Sequence, residues 1–296
     1  MACKSYCVAE NRFAVTVAED SSWPVDFFSL MANYEPFEIP ASDAPCVFTM
    51  TAQVSAPLSY VEEVRQDEED QQIYCGHTDS GEPVFDFYLH HVAVGMLVCS
   101  LDYKSARLLV PQGLSASLLK FAVNNALMVL YALATANTAS LLFHAAVVEY
   151  GGRGYMFLGK SGTGKSTHAR LWLKYNEGSE LLNDDNPVVR YYDDRGAVVY
   201  GSPWSGKTPC YKNREAPVGG IVLLSQAPFN KISRLRGVQA YAAIISSISG
   251  KRWERRIADG LHQGENALAS HVPVWYLECL PDEEAAKICR DAVTGA

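Results

Sequence analysis

The chain has 296 residues, 48% of them hydrophobic and 20% charged, with a formal net charge of −8. Such a chain can bury a core without disulfides or a structural metal, in one large or two modest domains. The acidic balance argues against a general nucleic-acid or membrane-surface binder, which needs excess Lys and Arg to track phosphates, although it permits a local basic pocket for a nucleotide.

The first forty residues resist assignment, because Trp23-Pro24 and Glu35-Pro36 interrupt any long element. Met1–Glu10 lacks the apolar core of a signal peptide and reads as a flexible start. From Cys46 to Val110 short apolar runs alternate with turn signals, as in an antiparallel β meander. Within it Ile73–His77 and Val84–His90 flank a hairpin loop at Thr78–Glu82, and Val92–Leu101 and Ala106–Val110 follow. The acidic run Asp67–Asp70 reads as a solvated loop. His77, His90 and His91 lack metal-ligand spacing and receive no role.

Ser115–Ala136 carries apolar residues nearly all round at helical spacing, which predicts a buried helix. A domain boundary just before it divides the chain into a β-rich region, 1–112, and a second domain, 113–296. The longest apolar stretch, around Ala126–Ala136, reads as too short to span a bilayer. Leu141–Glu149 and Tyr155–Leu158 form a hairpin across Gly151–Gly154, and its second strand runs into a glycine-rich loop. Beyond that loop come a helix at Thr167–Tyr175, a short strand ending at Leu182, and a hairpin of Val188–Tyr192 with Ala197–Tyr200. A strand at Gly220–Leu224, a helix at Val238–Ser247, a strand at Val272–Leu277 and a closing helix from Pro281 complete the chain. The class is α/β in the α+β sense. The eight cysteines include no C-x-x-C pair and read as reduced, so the cytoplasm is the default location.

The chemistry is concentrated in Gly159-Lys160-Ser161-Gly162-Thr163-Gly164-Lys165-Ser166-Thr167, which satisfies G-x-x-x-x-G-K-[ST] between a predicted strand and a predicted helix. Glycines let successive backbone N–H groups and the helix N-terminus face a phosphate without Cβ clashes. Lys165 supplies a charge at the β- and γ-phosphates and the Ser166 hydroxyl a ligand for Mg²⁺, so ATP is the expected nucleotide. Downstream, Asn183-Asp184-Asp185 places two carboxylates at a strand end, one for the metal and one available as a base to an incoming hydroxyl. His144 precedes the loop on the other hairpin strand, where a lone histidine is ordinarily a satisfied core residue.

With these pieces in place the chain resembles the HPr kinase/phosphorylase family and, more distantly, the ATP-dependent phosphoenolpyruvate carboxykinases. The likeness rests on His144, the hairpin, Gly-Lys-Ser-Gly-Thr-Gly-Lys-Ser and Asn-Asp-Asp, and covers roughly residues 138 to 225. It implies a kinase-like domain with a mixed sheet, in which Gly159–Thr167 cradle the ATP phosphates and Ser166 and Asp185 hold Mg²⁺. It further implies Asp184 as the base, with His144 beside it to orient or tune it, and Lys165 at the transferred phosphoryl group. The HPr kinases form hexamers; the residues here state no oligomeric state. The family's C-terminal signature and docking elements are not found, and the chain is too short for the oxaloacetate site of a carboxykinase. A kinase acting on a serine-like hydroxyl in a protein or small molecule is therefore expected, with the acceptor unidentified. A non-catalytic nucleotide-binding module and a phosphorylase or phosphatase running in reverse remain as alternatives. Gly201–Pro209, with Arg214 shortly after, is a further loop that would close over nucleotide or acceptor.

Overall fold

The computed structural model describes residues 2–19, 22–68, 70–206 and 208–295. Among these residues the chain forms eighteen strands, five α-helices and one 3₁₀ helix, a mixed α/β structure of the α+β kind. It divides into two compact units, Met1–Ala134 and Thr135–Ala296.

The first unit is built on a sheet that opens with a strand where the sequence reads as flexible. β1 (Ala2–Val8) pairs antiparallel with β2 (Asn11–Val17), through a tight turn whose residues Ala9 and Glu10 both have positive φ. With β3 (Glu38–Ile39), β4 (Phe48–Val54), β5 (Val61–Glu68), β6 (Gln71–His77), β7 (Pro83–Leu89), β8 (Val92–Cys99) and β9 (Ser105–Val110), they form a sheet of order β3-β1-β2-β4-β9-β8-β7-β6-β5. The meander expected from Cys46 holds from β5 to β9, but β4 runs parallel to both β2 and β9. Asp67 and Glu68 are solvated as expected, yet they end edge strand β5 instead of forming a loop. His90 and His91 make the two-residue turn between β7 and β8.

Helix α1 (Ala116–Ala134) packs on β4, β7, β8 and β9, and against the 3₁₀ helix Phe27–Phe37. Tyr131 on α1 donates its hydroxyl to Val8 O and accepts from Asn11 Nδ2, both at 3.0 Å. This helix therefore belongs with the β-rich unit, which moves the boundary from 112/113 to 134/135. With 19 residues and a mean hydropathy of 1.5 it is long and apolar enough to cross a membrane, contrary to the shorter apolar stretch read from sequence. Its face of Leu119, Ala122, Val123, Ala126, Leu127 and Leu130 is instead buried as a core helix is.

The second unit surrounds a mixed sheet. The expected strand 141–149 is two strands, β10 (Ser140–Leu142) and β11 (Ala145–Tyr150), broken at Phe143-His144. β10 pairs with β14 (Val188–Tyr192), whereas β11 lies between β12 (Arg153–Leu158) and β13 (Glu180–Asp185). β15 (Gly196–Tyr200) and β12 flank the long β16 (Glu215–Gln226), which also pairs with β18 (Val274–Cys279), and β17 (Lys231–Leu235) closes on β18. Helices α2 (Lys165–Tyr175) and α5 (Glu283–Thr294) contribute Trp172, Ala286 and Cys289 to one core with Phe157, Val222 and Leu277 of the sheet. Helices α3 (Val238–Ile245) and α4 (Arg255–His271) pack on each other, and α4 also on β10, β14 and β15.

Candidate functional site

Register aligns the chemistry. Leu158, the last residue of β12, lies opposite Ala145, the first of β11, and Ala145 lies opposite Asp185, the last of β13. On the other side Leu158 pairs with Leu223 of β16, which pairs with Tyr276 of β18. The glycine-rich loop, His144, the Asp pair and the ends of β16 and β18 therefore emerge at one edge of the sheet. Four of these strands present their carboxyl ends there, where open α/β sheets characteristically bind ligands.

The loop leaves β12 at Gly159 and enters α2 at Lys165, two residues earlier than the sequence suggests. Gly159, Gly162 and Gly164 all adopt positive φ, and a Cβ on Gly159 would sit 2.5 Å from Thr163 Oγ1. Thr163 donates to Lys160 O at 2.8 Å, and Gln226 at the end of β16 donates to Gly162 O at 3.1 Å. Lys165 folds over the loop and donates to Gly159 O at 2.9 Å, so it is buried and not solvent-facing. The N-terminus of α2 has no side-chain cap and no acidic residue in its first turn. Its dipole and N–H groups are thus available to an anion, and the cradle fits a phosphate.

Beneath the loop, Trp172 Nε1 donates to His168 Nε2 at 3.2 Å. That nitrogen must therefore carry the lone pair, leaving the ring proton on Nδ1, which has no partner among the described residues. Burial lowers the His168 pKa to about 4, so the ring is neutral at physiological pH.

The two aspartates face different surroundings. Asp184 is opposite Ala146, a member of the core that includes Ala169 and Trp172 of α2, and it is 3% exposed. The side chain of Asp185 is 36% exposed, and its Oδ1 lies 3.2 Å from Nε2 of a His144 side chain 40% exposed. Its Oδ2 accepts from Asn186 Nδ2 at 2.7 Å. His144 thus pairs with Asp185, not with Asp184 as the resemblance implies. The β10–β11 break holds it in place, because His144 N–H donates to Ser247 O at 2.7 Å and Phe143 N–H to Pro187 O at 3.0 Å. Asp185 has a φ of 140°, a costly value for a residue with a Cβ. No sequence pattern announced this conformation or the His144–Asp185 pair.

The segment after β15 reaches the site, where a Cβ on Gly206 would lie 3.2 Å from Asp185 Cβ. It runs along the open edge of β13 and supplies the partners that an edge strand lacks. Ser205 forms a bridge with Asp185 and donates its hydroxyl to Asp184 O at 3.1 Å, while Gly206 N–H donates to the same carbonyl at 2.6 Å. Buried Asn183 donates to Ser202 Oγ at 3.1 Å and to Trp204 O at 3.3 Å, which ties the strand to the base of the segment. The thiol of Cys210 approaches Leu182 O at 3.4 Å, and burial and the nearby Asp184 charge raise its pKa. Lys207 lies outside the described residues. Arg214 is at the opposite end of the β11–β13 pair, bonded to Glu149 at 2.7 Å and Glu180 at 2.8 Å, so it is not placed at a transferring phosphoryl group.

Among the described residues no three His, Cys, Asp or Glu side chains gather as a self-contained metal site. An ion of the Mg²⁺ type bound through one or two protein oxygens plus phosphates needs no such cluster. A scan against protein-family models and a search of curated proteins found no match to this chain.

Proposed function

We propose that the chain is an ATP-dependent phosphotransferase acting on a hydroxyl, with its nucleotide-binding machinery in residues 135–296. The observation that carries this reading is the shared register of Leu158, Ala145 and Asp185, which brings the anion cradle, His144 and two carboxylates to one sheet edge. The N-terminus of α2 and Lys165 bind and orient the triphosphate in the manner of a P-loop. Ser166 and Asp184, the latter on the α2 side of β13, would hold Mg²⁺, whose chemistry is neutralisation of charge on the phosphate oxygens.

The half-buried Asp185, more accessible than Asp184, and its partner His144 are the better-placed proton acceptors, which reverses the roles that the resemblance assigns to Asp184 and Asp185. The acceptor oxygen attacks the γ-phosphorus, the bond to the β-phosphate oxygen breaks, ADP departs, and Asp185 takes the hydroxyl proton. The eight scattered cysteines, with no C-x-x-C pair, are in keeping with a reducing compartment such as the cytoplasm.

Labelled ATP and Mg²⁺, incubated with fractionated lysate, test the reaction: label should pass to one protein or metabolite fraction. Asp185→Asn should spare ATP binding and lower turnover roughly 10²–10⁴-fold. Asp184→Asn should instead raise the Mg²⁺ concentration needed for half-maximal turnover, and the opposite pattern would restore the original order. ATP binding without label transfer or ADP release in any fraction would favour the non-catalytic module.

A further inference from the structure

His144 is held by a segment about a hundred residues further along the chain, the connection 246–254 between α3 and α4. Ser247 O accepts from His144 N–H at 2.7 Å, Ser249 N–H donates to Leu142 O at 2.9 Å, and Ile248 bridges Phe143 between them. The break between β10 and β11 thus takes three of its backbone contacts from this connection.

The connection is closed from both sides by one buried carboxylate. Glu265 of α4 is 1% exposed, and its Oε1 accepts from Arg252 Nη2 at 2.7 Å. The same Nη2 donates at 3.2 Å to the carbonyl of Ile245, the last residue of α3. Glu265 Oε2 accepts from the hydroxyl of Tyr241, also on α3, at 2.9 Å. Tyr241 has a single proton and gives it to the carboxylate, so its 2.7 Å contact with His262 Nδ1 is donated by the ring. At Gly250 the backbone lies so close to α4 that a Cβ would sit 2.4 Å from Leu261 Cδ1. An apolar pair of like volume often serves a fold as well as a buried ion pair. What the charged version adds here is direction, because its hydrogen bonds fix both ends of the connection at set distances.

We propose that Glu265, through Arg252 and Tyr241, is a positioning residue for the His144–Asp185 pair. It fixes the span of the connection, and that span sets where residues 142–144 lie and where the imidazole meets the carboxylate 3.2 Å away. The consequence for turnover rests on the phosphotransfer reading above; the placement of His144 does not.

Arg252→Met/Glu265→Met removes the clamp without leaving a buried charge unpaired, and two measurements on the full chain test it. The first is the ¹⁵N signal of the His144 imidazole. Asp185→Asn should shift that signal in the parent, and by less than about half as much in the clamp variant. The second is ADP release from ATP and Mg²⁺ with the lysate fraction that takes up label. Turnover should fall about tenfold with KM for ATP within about twofold, and the fall should vanish in a His144→Ala background. Arg252→Lys, whose ammonium can donate to both acceptors from one nitrogen as Nη2 does, should keep turnover within about threefold of the parent. An undiminished response of His144 to Asp185→Asn, or an equal fall in turnover with and without His144, overturns the inference. If the parent releases no ADP with any fraction, the phosphotransfer reading fails, and the imidazole signal alone decides the placement. Should the double variant not fold, Tyr241→Phe, which deletes the α3 hydroxyl bond to Glu265, decides by the same two comparisons, with a fall of about threefold expected.

Discussion

At the scale of single residues, Lys165 joins the loop to its own carbonyls and carries the charge a triphosphate would meet. Lys165→Met retains the buried stem and removes the ammonium, so ATP affinity should fall at least tenfold with little change in melting temperature. Fluorescence titration beside a thermal melt checks both, and undiminished affinity would remove the loop from nucleotide binding. His168 makes a separate prediction. Its folded pKa of about 4 lies below the 6.5 of an unfolded histidine, so the unfolded chain binds the extra proton as pH falls between them. Its contribution to stability is complete above 6.5 and declines towards 4, by about 3 kcal/mol in all. Urea midpoints of the parent and His168→Asn should converge across that window, and a constant gap would contradict a neutral buried imidazole. Asp185 shows where residue identity stops informing: its carboxylate was legible, but its positive φ and its pairing with His144 depend on chain far away in sequence.

Among elements, the segment at Ser202–Gly206 works as an edge strand without being one. Ser205→Ala removes the hydroxyl whose one proton is shared between Asp184 O and Thr208 O, and should cost about 0.5–1.5 kcal/mol of stability. Because those bonds fix the carboxylate-bearing backbone, turnover should fall by more than the small unfolded fraction explains, and Ser205→Thr should recover it. Equal losses in activity and folded fraction would reduce Ser205 to a structural role. Other elements show why local reading succeeds or fails. The β11–β12 hairpin was legible because Gly151 and Gly152 supply the positive φ of its turn. The β1–β2 hairpin was not, because Ala9-Glu10 adopts positive φ without glycine or asparagine to advertise it. Helix α4 was missed because Gly260 and Gly264 weaken its helical signal. Gly260 serves close packing, since a Cβ there would collide with Asn137 Oδ1 and Ala136 O.

Over the whole molecule, the proposed reading confines the effects of nucleotide to the second unit's sheet edge. ATP with Mg²⁺ should slow amide hydrogen exchange in residues 159–168, 183–186, 224–228 and 279–281, and leave exchange in strands β5 to β9 unchanged. Protection confined to other segments would contradict the site. By itself, the sequence determined the α+β character, the glycine-rich loop between a strand and a helix, and the Asp pair, since each is written in contiguous residues and local backbone preference. It also marked α1 as a buried helix from its apolar periphery, but assigned it to the second unit, because hydrophobicity records that a surface is covered and not by what. Only the tertiary structure decided that β4 pairs parallel, that α1 covers the first sheet, and that Asp185 meets His144. It alone brought the ends of β16 and β18 beside the loop. Those outcomes depend on the register between strands dozens of residues apart, and register is set by the packing of the whole sheet.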